Sequence, residues 1–88
     1  MVEKEVTINN KMGLQSRAAS NFVATAQHFD SDIYLEKNQV IFNGKSIMSL
    51  LSMSLSGGES VLVRCDGEDE EKALGAIEDY LNTGIHKL

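Results

Sequence analysis

Apolar residues along this chain switch repeatedly between two spacings, one of about two residues and one of three to four. The first spacing is typical of a half-buried β-strand and the second of an amphipathic helix. Residues 2–8 predict a strand that ends at Asn9-Asn10. A helix is then predicted from Ser16 to about His28, ended by Asp30-Ser31-Asp32. Its apolar face consists of Ala19, Phe22, Val23, Ala26 and Phe29.

The middle of the chain predicts a hairpin followed by a short helix. Residues 33–42 alternate between apolar and polar on either side of Lys37-Asn38, which indicates two strands in a hairpin closed by Asn43-Gly44. Ser46 stands directly before a new apolar run, where serine is a favoured helix N-cap. A short helix is therefore predicted from Ser46 to Gly57-Gly58.

The last part of the chain predicts a fourth strand and a third helix. Residues 61–65 alternate and the pattern breaks at Asp66-Gly67, after which Asp69 is placed to cap a helix. The buried stripe of that helix consists of Ala73, Leu74, Ile77 and Leu81. The element order βαββαβα favours an α+β fold, with a four-stranded antiparallel sheet and three helices on one face, as one domain over residues 1–88.

Charge and composition exclude several classes of function. A formal net charge of −5 in 88 residues disfavours nucleic-acid binding, which depends on Lys and Arg, and favours a protein partner. A chain this short buries roughly 60–65% of its unfolded surface, so functional residues are expected on the surface. Cys65, the only cysteine, is expected to act as a small buried hydrophobe. The sequence shows no signal peptide and no membrane span, which predicts a cytoplasmic protein.

Two helix beginnings carry the residues best suited to bind an anion. One is Gly13-Leu14-Gln15-Ser16-Arg17 and the other is Asn43-Gly44-Lys45-Ser46. Each places backbone N–H groups that lack a helical partner beside a cationic side chain, which is the setting that favours phosphate. On local physics alone the more ordinary interpretation is a capped helix with a solvated cation.

Both segments resemble motifs of the HPr phosphocarrier family. Gly13-Leu14-Gln15-Ser16-Arg17-Ala18-Ala19 is similar to the active-centre motif G-L-H-A-R-P-A, and Asn43-Gly44-Lys45-Ser46-Ile47-Met48 is similar to the regulatory-serine segment. The two motifs have the family's usual separation, and the predicted element order matches the family's fold over essentially the whole chain. The resemblance implies an HPr-like open-faced β-sandwich.

The departures from the active-centre motif bear directly on function. Gln15 stands where the family has its phosphorylated histidine, Ser16 where it commonly has Ala, and Ala18 where it has Pro. A neutral carboxamide has no nucleophilic lone pair comparable to that of imidazole, so phosphotransfer through Gln15 is excluded and no enzymatic activity is expected. The alternative is a divergent phosphocarrier that uses an unconventional acceptor such as Ser16, although no activating base is evident.

Glutamine in place of the histidine with the regulatory serine retained is the pattern of the Crh subfamily. This resemblance implies phosphorylation of Ser46 by HPr kinase/phosphorylase and a corepressor role with catabolite control protein A, a LacI-type transcription regulator. No cofactor, metal, nucleic acid or membrane is implied, and a strand-swapped homodimer is conceivable. The residues expected to contact the partner are Arg17, Ser46, Ile47, Met48 and Leu51.

Other polar residues have simpler explanations. His28 is expected near a helix end and His86 near a frayed terminus, without a positioned acid or nucleophile. The acidic run 66–71 is interpreted as a solvated turn and helix start rather than a cation site. A third hypothesis is a binding module that keeps only the fold, without regulation.

Overall fold

The computed structural model describes residues 1–8, 16–53 and 57–82, with the backbone alone described at Ser16. Its elements are β1 (Val2–Thr7), α1 (Ser16–Ala26), β2 (Asp32–Lys37), β3 (Val40–Asn43), α2 (Ile47–Met53), β4 (Ser60–Asp66) and α3 (Glu70–Asn82). This order confirms the predicted βαββαβα arrangement. Helix α1 ends before His28, because the N–H groups of His28 and Phe29 donate to carbonyls three residues back, in a tightened last turn.

The four strands form one antiparallel sheet in the order β1-β4-β2-β3. Val6 of β1 lies opposite Val61 of β4, and Leu35 of β2 lies opposite Val63 of β4. These inward residues pack with the helices into one cluster, so the helices cover one face of the sheet and leave the other open. The predicted fold class is therefore confirmed.

The core joins one large side chain from each helix to the two central strands. Phe22 of α1, Leu50 of α2 and Ile77 of α3 are fully buried, as is Leu35 of β2. Cys65 is buried with them, and this burial, with a smaller contribution from nearby carboxylates, raises the pKa of its thiol to about 11. The thiol therefore stays protonated at neutral pH and packs as a small hydrophobe, as expected.

The β2–β3 hairpin turns one residue later than the sequence predicts. Its two turn residues are Asn38 and Gln39, not Lys37 and Asn38, and both have positive φ (53° and 68°), as in a type I′ turn. Asn43, predicted with Gly44 to close the hairpin, is the last residue of β3. Gly44 follows it and donates its N–H to the carbonyl of Ile33 at 2.7 Å, and a Cβ at Gly44 would lie only 2.7 Å from Ile33 Cγ2. Glycine is required at this turn for the close approach to Ile33, not for a positive φ.

Replacing Gln39 by glycine is expected to stabilise the fold by about 0.5–1 kcal/mol. A side chain with a Cβ is strained in the left-handed region, and Asn-Gly is the preferred pair in a type I′ turn. Urea unfolding measures the change. Asn38→Gly is the matched control and should gain less, because asparagine tolerates this conformation well. An unchanged or lower stability for Gln39→Gly would contradict the assignment of strain.

Two turns at one end of the sheet are joined through Asp69, which the sequence assigned to capping α3. Its carboxylate oxygens accept the N–H groups of Asp30 and Ser31, each at 2.9 Å, and also the Ser31 hydroxyl. Ser31 is fully buried, and a Cβ at Gly67 would lie 2.6 Å from its Cα. Asp69 thus fastens the α1–β2 turn to the β4–α3 turn, a partnership between residues far apart in the sequence.

Asp69→Asn is expected to lower the melting temperature at neutral pH. Hydrogen bonds to the charged carboxylate, above all from the Ser31 hydroxyl, hold the pKa of Asp69 below its usual 3.8. The stability that these hydrogen bonds add is fully present above the unfolded-state pKa of Asp69 and is lost as pH falls through its lower folded-state pKa. Thermal unfolding across this acid range should therefore show less pH dependence in the variant than in the parent. Glu68→Gln, which removes an exposed carboxylate of the same turn, is the control, and equal pH dependence in Asp69→Asn and the parent would refute the assignment.

Candidate functional site

The chain just before α2 holds Ser46 in a defined turn. Asn43 accepts the Lys45 N–H on its side-chain Oδ1 at 2.9 Å and the Ser46 N–H on its carbonyl at 3.2 Å. The Ser46 carbonyl accepts the N–H of Leu50, and its Oγ accepts the N–H of Ser49 at 3.3 Å. These bonds confirm Ser46 as the N-cap of α2. The residue is half-buried.

Helix α2 is too short to bury all of its apolar residues. Leu50 and Met53 point into the core, and Ile47 packs partly against it. Met48 is 74% exposed and Leu51 46% exposed. We call Met48, Leu51 and the accessible part of Ile47 the α2 patch. The prediction that some of these side chains remain exposed is confirmed, and the patch begins directly beside Ser46.

The cation of Lys45 lies elsewhere than the sequence predicts. Its Nζ donates to the carbonyl of Phe29 at 2.7 Å, which ties the side chain to the end of α1. A lysine ammonium at the C-terminal end of a helix satisfies a carbonyl that lacks a helical partner. Lys45 therefore does not supply the positive charge expected beside Ser46, and this correction depends on a contact between distant segments.

The other expected anion site begins at α1. Gln15 and the side chain of Ser16 lie outside the described residues, as do Asn9-Asn10 and His86. Arg17 is exposed in the first turn of α1, and α1 contacts α2, so Arg17 and Ser46 lie on neighbouring helices. Ala18 is buried in this turn, and its carbonyl accepts the hydroxyl of Tyr80 at 2.8 Å.

The remaining polar candidates do not form a second site. His28 is exposed just after α1. In the acidic run, Asp69 fastens the α1–β2 turn, and Glu70 accepts the Gly67 N–H at 3.1 Å and pairs with the Met1 amine at 3.1 Å. Over residues 1–8, 16–53 and 57–82, no three His, Cys, Asp or Glu side chains come together as a metal site.

Comparison with known proteins places this geometry in a family. Residues 2–83 match the family model described as "PTS HPr component phosphorylation site". The HPr-like protein Crh of Bacillus subtilis is 43% identical over 85 residues, which cover 97% of this chain and 100% of that protein. The chain belongs to the HPr family, and its likeness to Crh supports an HPr-like regulatory role within that family of phosphocarriers.

Solved structures show the same fold. HPr-C-His from Thermoanaerobacter tengcongensis is 40% identical, with a TM-score of 0.93 over 98% of this chain and 97% of that one. A crystal structure of Bacillus subtilis Crh, described as a domain-swapped dimer, is 43% identical, with a TM-score of 0.75 over 92% of this chain and 93% of that one. Overall identity to this chain is thus similar for HPr and Crh. None of the helices within the described ranges has the length and apolarity needed to cross a membrane.

Proposed function

We propose that this protein is a regulatory HPr-like protein in carbon catabolite control. HPr kinase/phosphorylase phosphorylates Ser46, and the phosphorylated form is the corepressor of the LacI-type regulator catabolite control protein A. The observation that carries the proposal is the Ser46 hydroxyl at the N-cap of α2, the same short helix that exposes Met48 and Leu51. A modifiable group and an apolar docking surface thus share one end of one helix.

The local structure is suited to a phosphoserine at this position. The Ser46 oxygen already accepts a backbone N–H, and a phosphate adds further acceptor oxygens and about −2 charge in the same place. Added negative charge is favourable at a helix N-terminus, so phosphorylation leaves the fold in place and changes the surface. The modification then acts through direct contact, with charge-assisted hydrogen bonds to basic groups on the regulator.

The α2 patch supplies the apolar part of this contact, and α1 supplies a charge. Met48 is the most exposed large apolar side chain of the described residues, and a flexible thioether adapts to an irregular partner surface. Arg17, exposed on the neighbouring helix, flanks the phosphoserine in this proposal. Ile47, Met48 and Leu51 pack against the regulator.

Gln15 determines what the protein does not do. Its carboxamide cannot accept a phosphoryl group from the phosphoenolpyruvate-dependent system, so the protein does not relay phosphate. The one alternative with support is a divergent phosphocarrier, because the HPr relative is nearly as similar as Crh. In that case Ser16, at the start of α1, would be the acceptor.

Two experiments test the proposal against this alternative. Titration of the phosphorylated and unphosphorylated protein against the regulator should show tighter binding of the phosphorylated form. Incubation with phosphoenolpyruvate and the upstream phosphotransferase components should leave the mass unchanged. A phosphate on Ser16 in that incubation would favour the phosphocarrier. Equal affinity of the two forms for the regulator would favour a binding module without regulation.

A strand-swapped homodimer is included in this proposal. It is supported by the domain-swapped dimer of Crh and by the position of β1 at an edge of the sheet. Sedimentation analysis tests it, and a monomer at all concentrations would reject it without affecting the role of Ser46.

Met48→Ala is expected to weaken binding of the phosphorylated form to the regulator by about 1–2 kcal/mol. The loss should be nearly independent of salt, because it comes from apolar burial. Ile41→Ala is the matched control, since Ile41 is 55% exposed on the sheet face that the helices leave open. Calorimetric titration at two salt concentrations measures both variants. Equal losses for the two would show that the α2 patch has no special role.

A further inference from the structure

The sheet face that the helices leave open carries its own exposed apolar surface. The strand register places Tyr34 of β2 opposite Arg64 of β4, and Ile41 of β3 beside them. Together with Met1 and Asp66 these residues line a hollow of about 240 Å³. The hollow is apart from the α2 patch, because Met48 and Leu51 belong to the helical layer on the other face.

The size and lining of this hollow indicate what it holds. It is smaller than the roughly 300–1,000 Å³ of small-molecule pockets, and apolar side chains form most of its lining. Ile41 is 55% exposed and Met1 67% exposed, so two large apolar side chains remain accessible at the hollow. The hollow is of a size to take one apolar side chain from another molecule.

The charge around the hollow indicates the kind of partner. Arg64 is engaged within the sheet, by Glu3 at 2.8 Å and Glu36 at 3.1 Å. Asp32 and Asp66 lie directly opposite each other on β2 and β4, where like charges repel. On this face the strands present the carboxylates of Glu3, Glu5, Asp32, Glu36 and Asp66. Within the described part of the chain, two cations oppose these five carboxylates, the guanidinium of Arg64 and the Met1 amine, which lies 3.7 Å from Asp66, so the face keeps an excess of negative charge.

We propose that the open face is a docking surface for a basic, extended segment of another protein. One apolar side chain of that segment enters the hollow between Tyr34 and Ile41, and its Lys or Arg residues pair with the surrounding carboxylates. Charge complementarity selects this occupant, since a second copy of this chain would bring the same acidic face. Because the α2 patch lies on the opposite side, both surfaces are accessible at once.

An NMR titration of the full chain tests this docking surface. The probe is a capped peptide that alternates arginine with leucine, and a peptide with glutamate in place of arginine is the control. Shifts in the amide signals should map to the open face around Tyr34, Ile41 and Arg64, and should weaken with salt. The acidic peptide should cause no saturable shift. Shifts that map instead to the α2 patch or to the turn at residues 67–71 would overturn the proposal.

Variants separate the apolar and the charged parts of this interaction. Ile41→Ala should weaken binding of the basic peptide about fivefold, the size of a typical interface truncation. Asp32→Asn should reduce the salt dependence of binding to the basic peptide. Met48→Ala should leave both the affinity for this peptide and its salt dependence unchanged. Both Asp32 and Ile41 are exposed, so these substitutions leave the core intact. Concentration-dependent shifts on the same face without peptide would show self-association and overturn the proposal, as would equal binding by Ile41→Ala and the parent.

Discussion

Ser46→Ala is expected to abolish ATP-dependent phosphorylation by HPr kinase/phosphorylase and, with it, the phosphorylation-dependent gain in affinity for the regulator. Ser46 is the proposed site of phosphorylation, and its phosphate makes charge-assisted hydrogen bonds to the regulator. The phosphorylated parent should therefore bind more tightly and with a steeper salt dependence, whereas the variant should bind like the unphosphorylated parent. Intact-mass analysis and titration against the regulator measure the two effects.

The controls for this experiment follow from the bonds around Ser46. Alanine at this position also removes the N-cap bond to the Ser49 N–H, which costs about 0.5–2 kcal/mol of stability. Ser46→Asn restores a side-chain acceptor for that N–H but cannot be phosphorylated, so it separates loss of the cap from loss of the phosphate. Ser49→Ala and Ser52→Ala keep the Ser46 hydroxyl and should be phosphorylated normally. Phosphate mapped to Ser49 or Ser52 in the parent, with Ser46 unmodified, would disprove the assignment.

Phe22→Ala is expected to lower the free energy of unfolding by about 3–5 kcal/mol, a large part of the stability of a small domain. Phe22 is fully buried where α1 packs against α3, and its ring lies edge-on to that of Tyr80, with centroids 6.0 Å apart and planes at 71°. Truncation would open a cavity and remove this aromatic contact. Urea unfolding followed by circular dichroism measures the change.

Two milder substitutions in the same region serve as controls. Phe29→Ala removes a ring that is only partly buried, so it should cost clearly less than Phe22→Ala. Tyr80→Phe keeps the aromatic contact but loses the hydrogen bond to the Ala18 carbonyl, which should lower the free energy of unfolding by about 1 kcal/mol. If Phe22→Ala cost no more than Phe29→Ala, the centre of the core would lie elsewhere.

The order of the elements and the N-cap at Ser46 could be predicted because both depend on neighbouring residues. Alternation in residues 61–65 and the helical spacing after Ser16 are local signals, and a serine before an apolar run is a local cap. The exposure of Met48 and Leu51 could also be predicted, because α2 has more apolar residues than the single buried face of a short helix can hold.

The details that the sequence did not predict depend on contacts between distant segments. Lys45 donates to the Phe29 carbonyl, 16 residues away in the sequence, and Asp69 accepts from Ser31, 38 residues away. The hairpin turn was predicted one residue too early, because Asn38 suits a turn in either position whereas Gln39 is an unusual residue at positive φ.

The place of β1 in the sheet has a consequence for how the chain is made. β1 contacts β4 and α3, which leave the ribosome well after it, and its Val6 pairs with Val61. Until β4 has emerged, the apolar side of β1 lacks its native neighbours and the sheet cannot close. This domain is thus expected to fold only after β4 and α3 have left the ribosome, so β1, the first of its strands to be synthesised, has the longest delay before it pairs.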